Sequence, residues 1–234
     1  MLKPLIIAHR GYSSRALENS LEAFRLALSL PVDMIEFDIR RSRDNLLYVM
    51  HDERTGKTCD SDIDIERSLS TDIAKIKLRN GEPVPTLNDV LSLAAGRVGL
   101  NIEVKSDGSG ALTAAHVAGS GYKGEILISS FKEREVLDVK RVLPNVPVAG
   151  IFDDFSVSEV SVYKKMGYSF ISLRRQAVTE DLVFALHDRS IKIYVWTVDE
   201  EEEMMKLISW GVDGIYSNKP AVLKKVVERY SRES

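Results

Sequence analysis

Short apolar segments alternate with amphipathic segments along most of this chain, and this rhythm limits the fold more than any other feature. Five strand candidates follow one another in the second half, separated by stretches whose apolar residues recur at helical spacing. The strand candidates span residues 126–130, 146–152, 170–173, 193–198 and 214–217, and the helical stretches lie near 111–119, 132–142, 156–166, 179–188 and 199–210. Strands that alternate with helices are typical of a parallel sheet. The sequence therefore predicts an α/β fold.

The first half adds three strand candidates, at residues 5–8, 35–39 and 98–105. Ser20 and Thr86 have the side chains of helix N-caps, and Pro220 suits the first turn of a last helix. Eight β-α units in a chain of 234 residues predict a TIM (β/α)8 barrel. An open doubly wound sheet is the rival fold, but no glycine-rich phosphate turn follows the first strand.

One segment interrupts the alternation. After a further short strand at 46–50, residues 53–85 are polar and irregular, with few apolar residues at regular spacing. We interpret about 45–85 as a small insertion after the second strand that lies over one end of the barrel. The whole chain, 1–234, is then expected to form a single domain.

Composition excludes several classes of protein. The formal net charge of −3 gives no basic surface for nucleic acid. Cys59 is the single cysteine, so no internal disulfide can form, as is usual in a reducing compartment. The N-terminal apolar run is too short for a signal peptide or membrane anchor. These features favour a cytoplasmic protein, and they leave its oligomeric state open.

Charged side chains alternate with apolar ones in two of the predicted strands. Glu36 and Asp38 share one face of the second strand, and Glu103 and Lys105 share one face of the third. A solvated strand face would explain either pair alone. In a barrel, however, these faces point inward, and three carboxylates beside one ammonium leave excess negative charge. A divalent cation, Mg²⁺, Ca²⁺ or Mn²⁺, is the simplest remedy, since carboxylate oxygens are hard ligands.

Other reactive or aromatic residues fall at predicted strand ends. His9 and Arg10 end the first strand, His51 follows the short extra strand, and Phe131 and Trp196 lie at the ends of later strands. Each has a plain structural interpretation: a core histidine, a turn or a packing aromatic. Because the carboxyl ends of barrel strands meet at one rim, where active sites are built, we expect these residues to converge there.

Several short motifs occur in a fixed order along the chain. They are His9-Arg10-Gly11, Glu18-Asn19-Ser20, Glu36-Phe37-Asp38, His51-Asp52, Glu103-Val104-Lys105, Trp196-Thr197-Val198 and Gly211-Val212-Asp213-Gly214-Ile215. No single motif is diagnostic. The ordered set resembles the glycerophosphodiester phosphodiesterase family over nearly the whole chain.

This resemblance implies a metal-dependent TIM barrel that hydrolyses glycerophosphodiesters to glycerol 3-phosphate and an alcohol. It implies that the glycerol 2-hydroxyl attacks first, which gives a cyclic phosphate that water then opens. Glu36, Asp38 and Glu103 would be metal ligands, and His9 and His51 the acid/base pair.

Binding of the substrate is expected to involve four further residues. By the same resemblance, Arg10 and Lys105 would hold the phosphate, since both can donate to its non-bridging oxygens. Phe131 and Trp196 would form apolar walls for the glycerol backbone.

Three alternative functions remain. A related barrel phosphodiesterase could act on lysophospholipids or phosphoinositides; it would need an apolar rim, and the sequence shows no exposed aromatic or basic amphipathic run. A barrel that only binds phosphorylated metabolites would lack a ligand or a histidine, and neither is missing. A sugar-phosphate isomerase is a weaker hypothesis, because it needs no three-carboxylate cluster.

Two other groups of polar residues are interpreted as structural. His116 and His187 lie in predicted helices. The acidic run from Asp199 to Glu203 is interpreted as the charged first turn of a helix, where it suits the helix dipole.

Overall fold

Strands and helices alternate in the computed structural model, which describes residues 3–233. The strands are β1 (Leu5–His9), β2 (Met34–Arg41), β3 (Leu47–Val49), β4 (Gly99–Val104), β5 (Ile126–Ser130), β6 (Val148–Phe152), β7 (Phe170–Arg174), β8 (Lys192–Trp196) and β9 (Gly214–Ser217). The helices are α1 (Leu21–Leu28), α2 (Ser70–Ile73), α3 (Leu87–Ala94), α4 (Gly110–Ser120), α5 (Glu133–Val142), α6 (Val160–Lys165), α7 (Glu180–Asp188), α8 (Glu201–Ser209) and α9 (Pro220–Glu233).

The sheet closes on itself. Going round the barrel, β1, β2, β4, β5, β6, β7, β8 and β9 pair in parallel, and β1 pairs with both β2 and β9. The short β3 pairs antiparallel with the end of β2 and stays outside the ring. The TIM barrel prediction is therefore confirmed, and the open doubly wound sheet is excluded because each of these eight strands has a parallel neighbour on both sides, which leaves no edge strand in the ring.

The boundaries of two helices differ from those predicted. The helix predicted at 156–166 is a 3-10 turn, Val157–Glu159, followed by the shorter α6. The helix predicted at 199–210 begins only at Glu201, so Asp199 lies before it. The two predicted N-caps are confirmed. Ser20 accepts a hydrogen bond from the Ala23 amide at 3.1 Å, and Thr86 caps α3 in a reciprocal arrangement with Asp89.

Apolar side chains on the outer faces of the strands pack against the helices. Phe37 of β2, for example, is fully buried against Phe24 of α1, with ring centroids 5.8 Å apart. The inward faces differ along their length. Near the start of the strands, the interior is filled by a small apolar cluster that includes Ile7 and Met34. Because side chains on one face recur every second residue, Glu36 comes next on the face that Met34 begins.

Strand register brings the acidic residues level with one another. Glu36 is paired with His9 on one side and with Asn101 on the other, and Asp38 is paired with Glu103. Neighbouring parallel strands lie roughly 5 Å apart. The barrel therefore gathers these residues at the carboxyl ends of β1, β2 and β4.

The segment between β2 and α3 contacts this end of the barrel. It contains β3, the 3-10 turn Thr55–Lys57 and the short α2, around a small apolar cluster of its own. The amide of Met50 donates to the Asp38 carbonyl at 3.0 Å. Lys57 pairs with Glu18 at 3.1 Å, which joins the insertion to the loop after β1. That the chain forms a single domain stays a prediction.

Within residues 3–233, the longest apolar helical stretch is still too short or too polar to pass through a lipid bilayer.

Candidate active site

A cavity of about 280 Å³ opens at the carboxyl ends of the barrel strands. Eight of the nine residues singled out from the sequence line it: His9, Arg10, Glu36, His51, Glu103, Lys105, Phe131 and Trp196. The ninth, Asp38, is fully buried in direct contact with Arg10 and Lys105. The structure thus brings all nine residues together, although they come from six strands or the loops that follow them.

Three carboxyl groups cluster at one side of this cavity. One oxygen each from Glu36, Asp38 and Glu103 lie within 4.8 Å of one another, and all three residues are buried. Lys105 lies 3.2 Å from the Asp38 carboxylate and also contacts Glu103. Arg10 Nε lies 3.3 Å from Asp38. Two cations therefore face three carboxyl groups.

The protonation of these carboxyl groups differs according to their neighbours. Burial, and then the nearby Asp38, raises the pKa of Glu36 well above its usual range. The same two causes raise the pKa of Glu103 to about 7. Burial also opposes ionisation of Asp38, yet Lys105 and Arg10 hold its pKa well below its usual range. Asp38 is the permanent anion of the cluster.

His9 and Glu36 are neighbours at the ends of β1 and β2. His9 Nε2 lies 3.9 Å from a Glu36 oxygen, and Nδ1 lies 2.8 Å from Asn218 Oδ1. Burial, followed by the charge of Arg10, lowers the pKa of His9 to about 4. The ring is therefore neutral at pH 7, as a general base must be.

His51 also lines the cavity, and a carboxylate lies against its ring. Its Nδ1 is 2.5 Å from Asp52 Oδ1. Burial lowers the pKa of His51, although the carboxylates of Asp38 and Asp52 oppose that shift. A carboxylate at Nδ1 stabilises the protonated ring, so the two histidines are set up differently.

Phe131 and Trp196 form one wall of the cavity. Their rings meet edge to face, with centroids 5.6 Å apart, and the Lys105 ammonium lies 5.5 Å from the Phe131 centroid. Phe131 keeps 46% of its surface exposed. Phe131 is therefore accessible from solvent at the rim, where the sequence placed it as an apolar wall.

Comparison with known proteins identifies this constellation. The family model described as the glycerophosphoryl diester phosphodiesterase family matches residues 9–222. The chain belongs to this family. The match runs from the first candidate residue, His9, to beyond the last, Trp196.

Individual relatives agree with the family assignment. A glycerophosphodiester phosphodiesterase of Caldanaerobacter subterraneus subsp. tengcongensis is 31% identical over 97% of this chain and 99% of its own length. The crystal structure of a glycerophosphodiester phosphodiesterase from Agrobacterium tumefaciens, 26% identical, has a TM-score of 0.83 and covers 94% of this chain and 98% of that one. An Oleispira antarctica phosphodiesterase in complex with the product sn-glycerol-3-phosphate shares the fold, with 21% identity, a TM-score of 0.89 and coverage of 96% and 97%.

The carboxylate cluster of this family member fits a divalent cation. Within the described chain, one oxygen of each of Glu36, Asp38 and Glu103 is buried and has no hydrogen-bond partner. Lys105 lies near two of these oxygens without making a well-directed hydrogen bond. Buried oxygens without partners are costly unless a cation satisfies them. The donor set, all carboxylate, is one that hard cations prefer.

Several polar residues of the site were missed in the sequence. Asn19, which was named only within the Glu18-Asn19-Ser20 motif and given no role in the site, donates to Asp38 at 2.8 Å and is 3% exposed. Asn101, Ser172 and Tyr216 also line the cavity. For Asn101 a signal existed, because it shares the inward face of its strand with Glu103. Ser172 and Tyr216 carry no comparable signal, since neither shares a strand face with a carboxylate.

Proposed function

We propose that this protein is a metal-dependent phosphodiesterase that hydrolyses glycerophosphodiesters to glycerol 3-phosphate and an alcohol. The observation that carries the proposal is the buried three-carboxylate cluster beside a cavity that is also lined by two imidazoles, His9 and His51. Family membership and the names of the relatives support the same substrate class.

The charge of the site suits a cation and a phosphodiester together. Three carboxylates and the two cations Arg10 and Lys105 leave one negative charge. A divalent ion at Glu36, Asp38 and Glu103 turns this into one positive charge, which matches the single negative charge of a phosphodiester. We propose Mg²⁺ or Ca²⁺, with Mn²⁺ as a further candidate. When bound, the cation would polarise the phosphoryl group and favour ionisation of a neighbouring hydroxyl.

Arg10 and Lys105 are proposed to hold the phosphate. Arg10 uses Nε for Asp38 and Nη1 for Glu18 at 3.1 Å, so its other donors stay available for a non-bridging oxygen. Lys105 is held at the cavity by Asp38 and Glu103. A positive cluster of this kind stabilises the negative charge of the transition state.

The two histidines are proposed to divide the proton transfers. Neutral His9 accepts the proton of the glycerol 2-hydroxyl at Nε2 while that oxygen attacks phosphorus. The bond from phosphorus to the leaving alcohol breaks, and His51 protonates the alcohol. In the second step His51 takes a proton from water, which opens the cyclic phosphate, and His9 returns its proton to the glycerol oxygen. Each transfer is worth about 10²–10⁴-fold in rate.

Product formation tests the proposal directly. The protein is incubated with glycerophosphocholine or glycerophosphoethanolamine, with Mg²⁺, Ca²⁺, Mn²⁺ or a chelator, and glycerol 3-phosphate is measured. A parallel reaction with lysophosphatidylcholine tests the lipid alternative. We expect glycerol 3-phosphate only where a cation is present. Its absence with every cation would refute the proposal.

Histidine variants separate catalysis from binding. We expect His9→Ala and His51→Ala to lose turnover by about 10²–10⁴-fold while substrate binding persists. His116→Ala is the matched control, because His116 bonds to Asn88 at the protein surface, outside the cavity. Full turnover by His51→Ala would remove it from the mechanism. A barrel that only binds phosphorylated metabolites would show binding and no turnover in the unmodified protein.

The substrate is proposed to be a small molecule, with no nucleic acid involved. A cytoplasmic location is also proposed; the support is that Cys59, the single cysteine, is buried and free.

A further inference from the structure

Three side chains from two ends of the chain meet behind the His9 ring, on the side away from Glu36. Asn218 Oδ1 lies 2.8 Å from His9 Nδ1 and 2.8 Å from Ser13 Oγ. The amide nitrogen of the same side chain, Asn218 Nδ2, donates to Asp199 Oδ2 at 2.7 Å. The order of contacts is therefore Asp199, then Asn218, then His9.

The carboxylate of Asp199 decides which way the Asn218 amide points. Its other oxygen, Oδ1, accepts from the Asn218 backbone amide at 2.8 Å and from Ser217 Oγ at 2.9 Å. An ionised carboxylate only accepts hydrogen bonds, so the group of Asn218 that faces it must be the donor, Nδ2. Asn218 Oδ1 is then left to face His9.

This orientation determines the tautomer of His9. A carbonyl oxygen can only accept, so His9 Nδ1 must carry the proton that fills the 2.8 Å contact. Nε2 is then the nitrogen with the free lone pair. It is also the nitrogen on the Glu36 side of the ring, at 3.9 Å from that carboxylate. The lone pair thus lies on the cavity side.

We propose that Asp199 is a positioning residue that, through Asn218, holds His9 in the tautomer able to accept a proton from the substrate. This inference rests on the proposed function, because the tautomer matters for turnover only if His9 is the base. Asp199 itself does not touch the cavity.

This chain of hydrogen bonds from Asp199 through Asn218 to His9, the relay, differs from the arrangement at His51. There a carboxylate, Asp52, meets Nδ1 directly at 2.5 Å, which stabilises a protonated ring. At His9 the amide of Asn218 separates the carboxylate from the ring, so the ring meets a neutral oxygen. The relay fixes the tautomer without placing a full negative charge against the imidazole. That suits a base for His9 and an acid for His51.

Asp199→Asn tests the relay by reversing it. In the variant, the side-chain oxygen of residue 199 stays at the Oδ1 position, where it still accepts from the Asn218 backbone amide and from Ser217 Oγ. The introduced NH2 group therefore takes the place of Oδ2 and faces the Asn218 side chain. To avoid two facing donors, Asn218 must turn over and present its own NH2 to His9. His9 then has to accept at Nδ1 and carry its proton at Nε2, which removes the base. Ser13 tolerates the change, because its hydroxyl can accept from Asn218 and still donate to the His9 carbonyl.

We expect Asp199→Asn to lower kcat by about 10²–10⁴-fold with little change in KM, as when a catalytic histidine is held in the wrong tautomer. Nitrogen-15 NMR of the Mg²⁺-loaded protein should show the proton of His9 moved from Nδ1 to Nε2. The double variant Asp199→Asn/Asn218→Asp again presents an acceptor oxygen to His9 Nδ1, now from a carboxylate, so the original tautomer and most of the activity should return. Glu200→Gln is the control, because that exposed neighbour pairs only with Lys219 in the part of the chain that the structure describes.

Two results would overturn the inference. One is an Asp199→Asn protein that melts normally and keeps the proton on Nδ1. The other is a changed tautomer with unchanged kcat. The proposed function has a separate test: full activity in His9→Ala would refute the base assignment, whatever NMR reports for the Asp199 variant.

Discussion

Glu135 offers a sharp test of how the loop after β4 is held. The residue lies in the first turn of α5, is 1% exposed and accepts hydrogen bonds from the amides of Gly108 and Gly110, each at 2.7 Å. Gly108 lies in the loop that follows Lys105, and Gly110 is the first residue of α4. The perturbation is Glu135→Gln, with Glu133→Gln as its matched control. Both glutamates stand in the same first turn, but Glu133 is exposed.

The magnitude follows from the two contacts. A glutamine at 135 keeps one oxygen for one amide and turns its NH2 group toward the other. The amide left without an acceptor costs about 1–3 kcal/mol, and replacing a charged acceptor by a neutral one costs about 1 kcal/mol more. The total is about 2–4 kcal/mol. The helix-dipole contribution, about 0.3–1 kcal/mol, is lost equally in Glu133→Gln and cancels in the comparison.

Urea denaturation of the two variants measures this difference. The midpoint of Glu135→Gln should fall well below that of Glu133→Gln, with the slope unchanged. Since these amides order the loop next to Lys105, the KM of Glu135→Gln for glycerophosphocholine should also rise. A difference of less than about 1 kcal/mol between the two variants would refute the reasoning, because it would mean that the buried hydrogen bonds contribute nothing net.

Three further predictions concern the cavity. Asn19→Gly, which tolerates the left-handed backbone at φ 59° but removes the amide that donates to Asp38, should weaken Mg²⁺ binding by about 10–100-fold; unchanged calorimetric affinity would contradict this. Because the pKa of Glu103 is raised to about 7, protons compete with Mg²⁺ as the pH falls. Below pH 7, the Mg²⁺ affinity should fall by up to about tenfold per pH unit for each proton that binding releases, so it should be lower at pH 6 than at pH 8. Equal affinities at the two pH values would refute the competition. Phe131→Ala removes the edge-to-face contact with Trp196, and kcat/KM should fall about 2- to 12-fold, mainly through KM; an unchanged KM would argue against the wall.

Much of the barrel was predictable because its signals are local. Strand candidates such as 126–130 and 214–217 match β5 and β9 within the residues described. The boundaries that shifted, at α6 and α8, lie where cap geometry decides the first helical residue. The length of a helix depends on how its ends pack, and the spacing of its apolar residues does not predict that packing.

The acidic cluster was predictable for the same reason, and its neighbours were not. Alternation in β2 places Glu36 and Asp38 on one face before any tertiary contact forms. By contrast, Asp199 was interpreted as part of a charged helical turn. The structure instead places it before α8, where it bonds to Ser217 and Asn218.

By itself, the amino-acid sequence determined which residues share a strand face, and therefore which carboxylates could meet, because the period of two is a property of the extended backbone. Only the closed barrel decided which side chains form hydrogen bonds to the residues of the site. His9 meets Asn218, 209 residues further along the chain, because β1 and β9 are neighbours in the ring. No local pattern encodes such a contact, since closure of the sheet is a property of all the strands together.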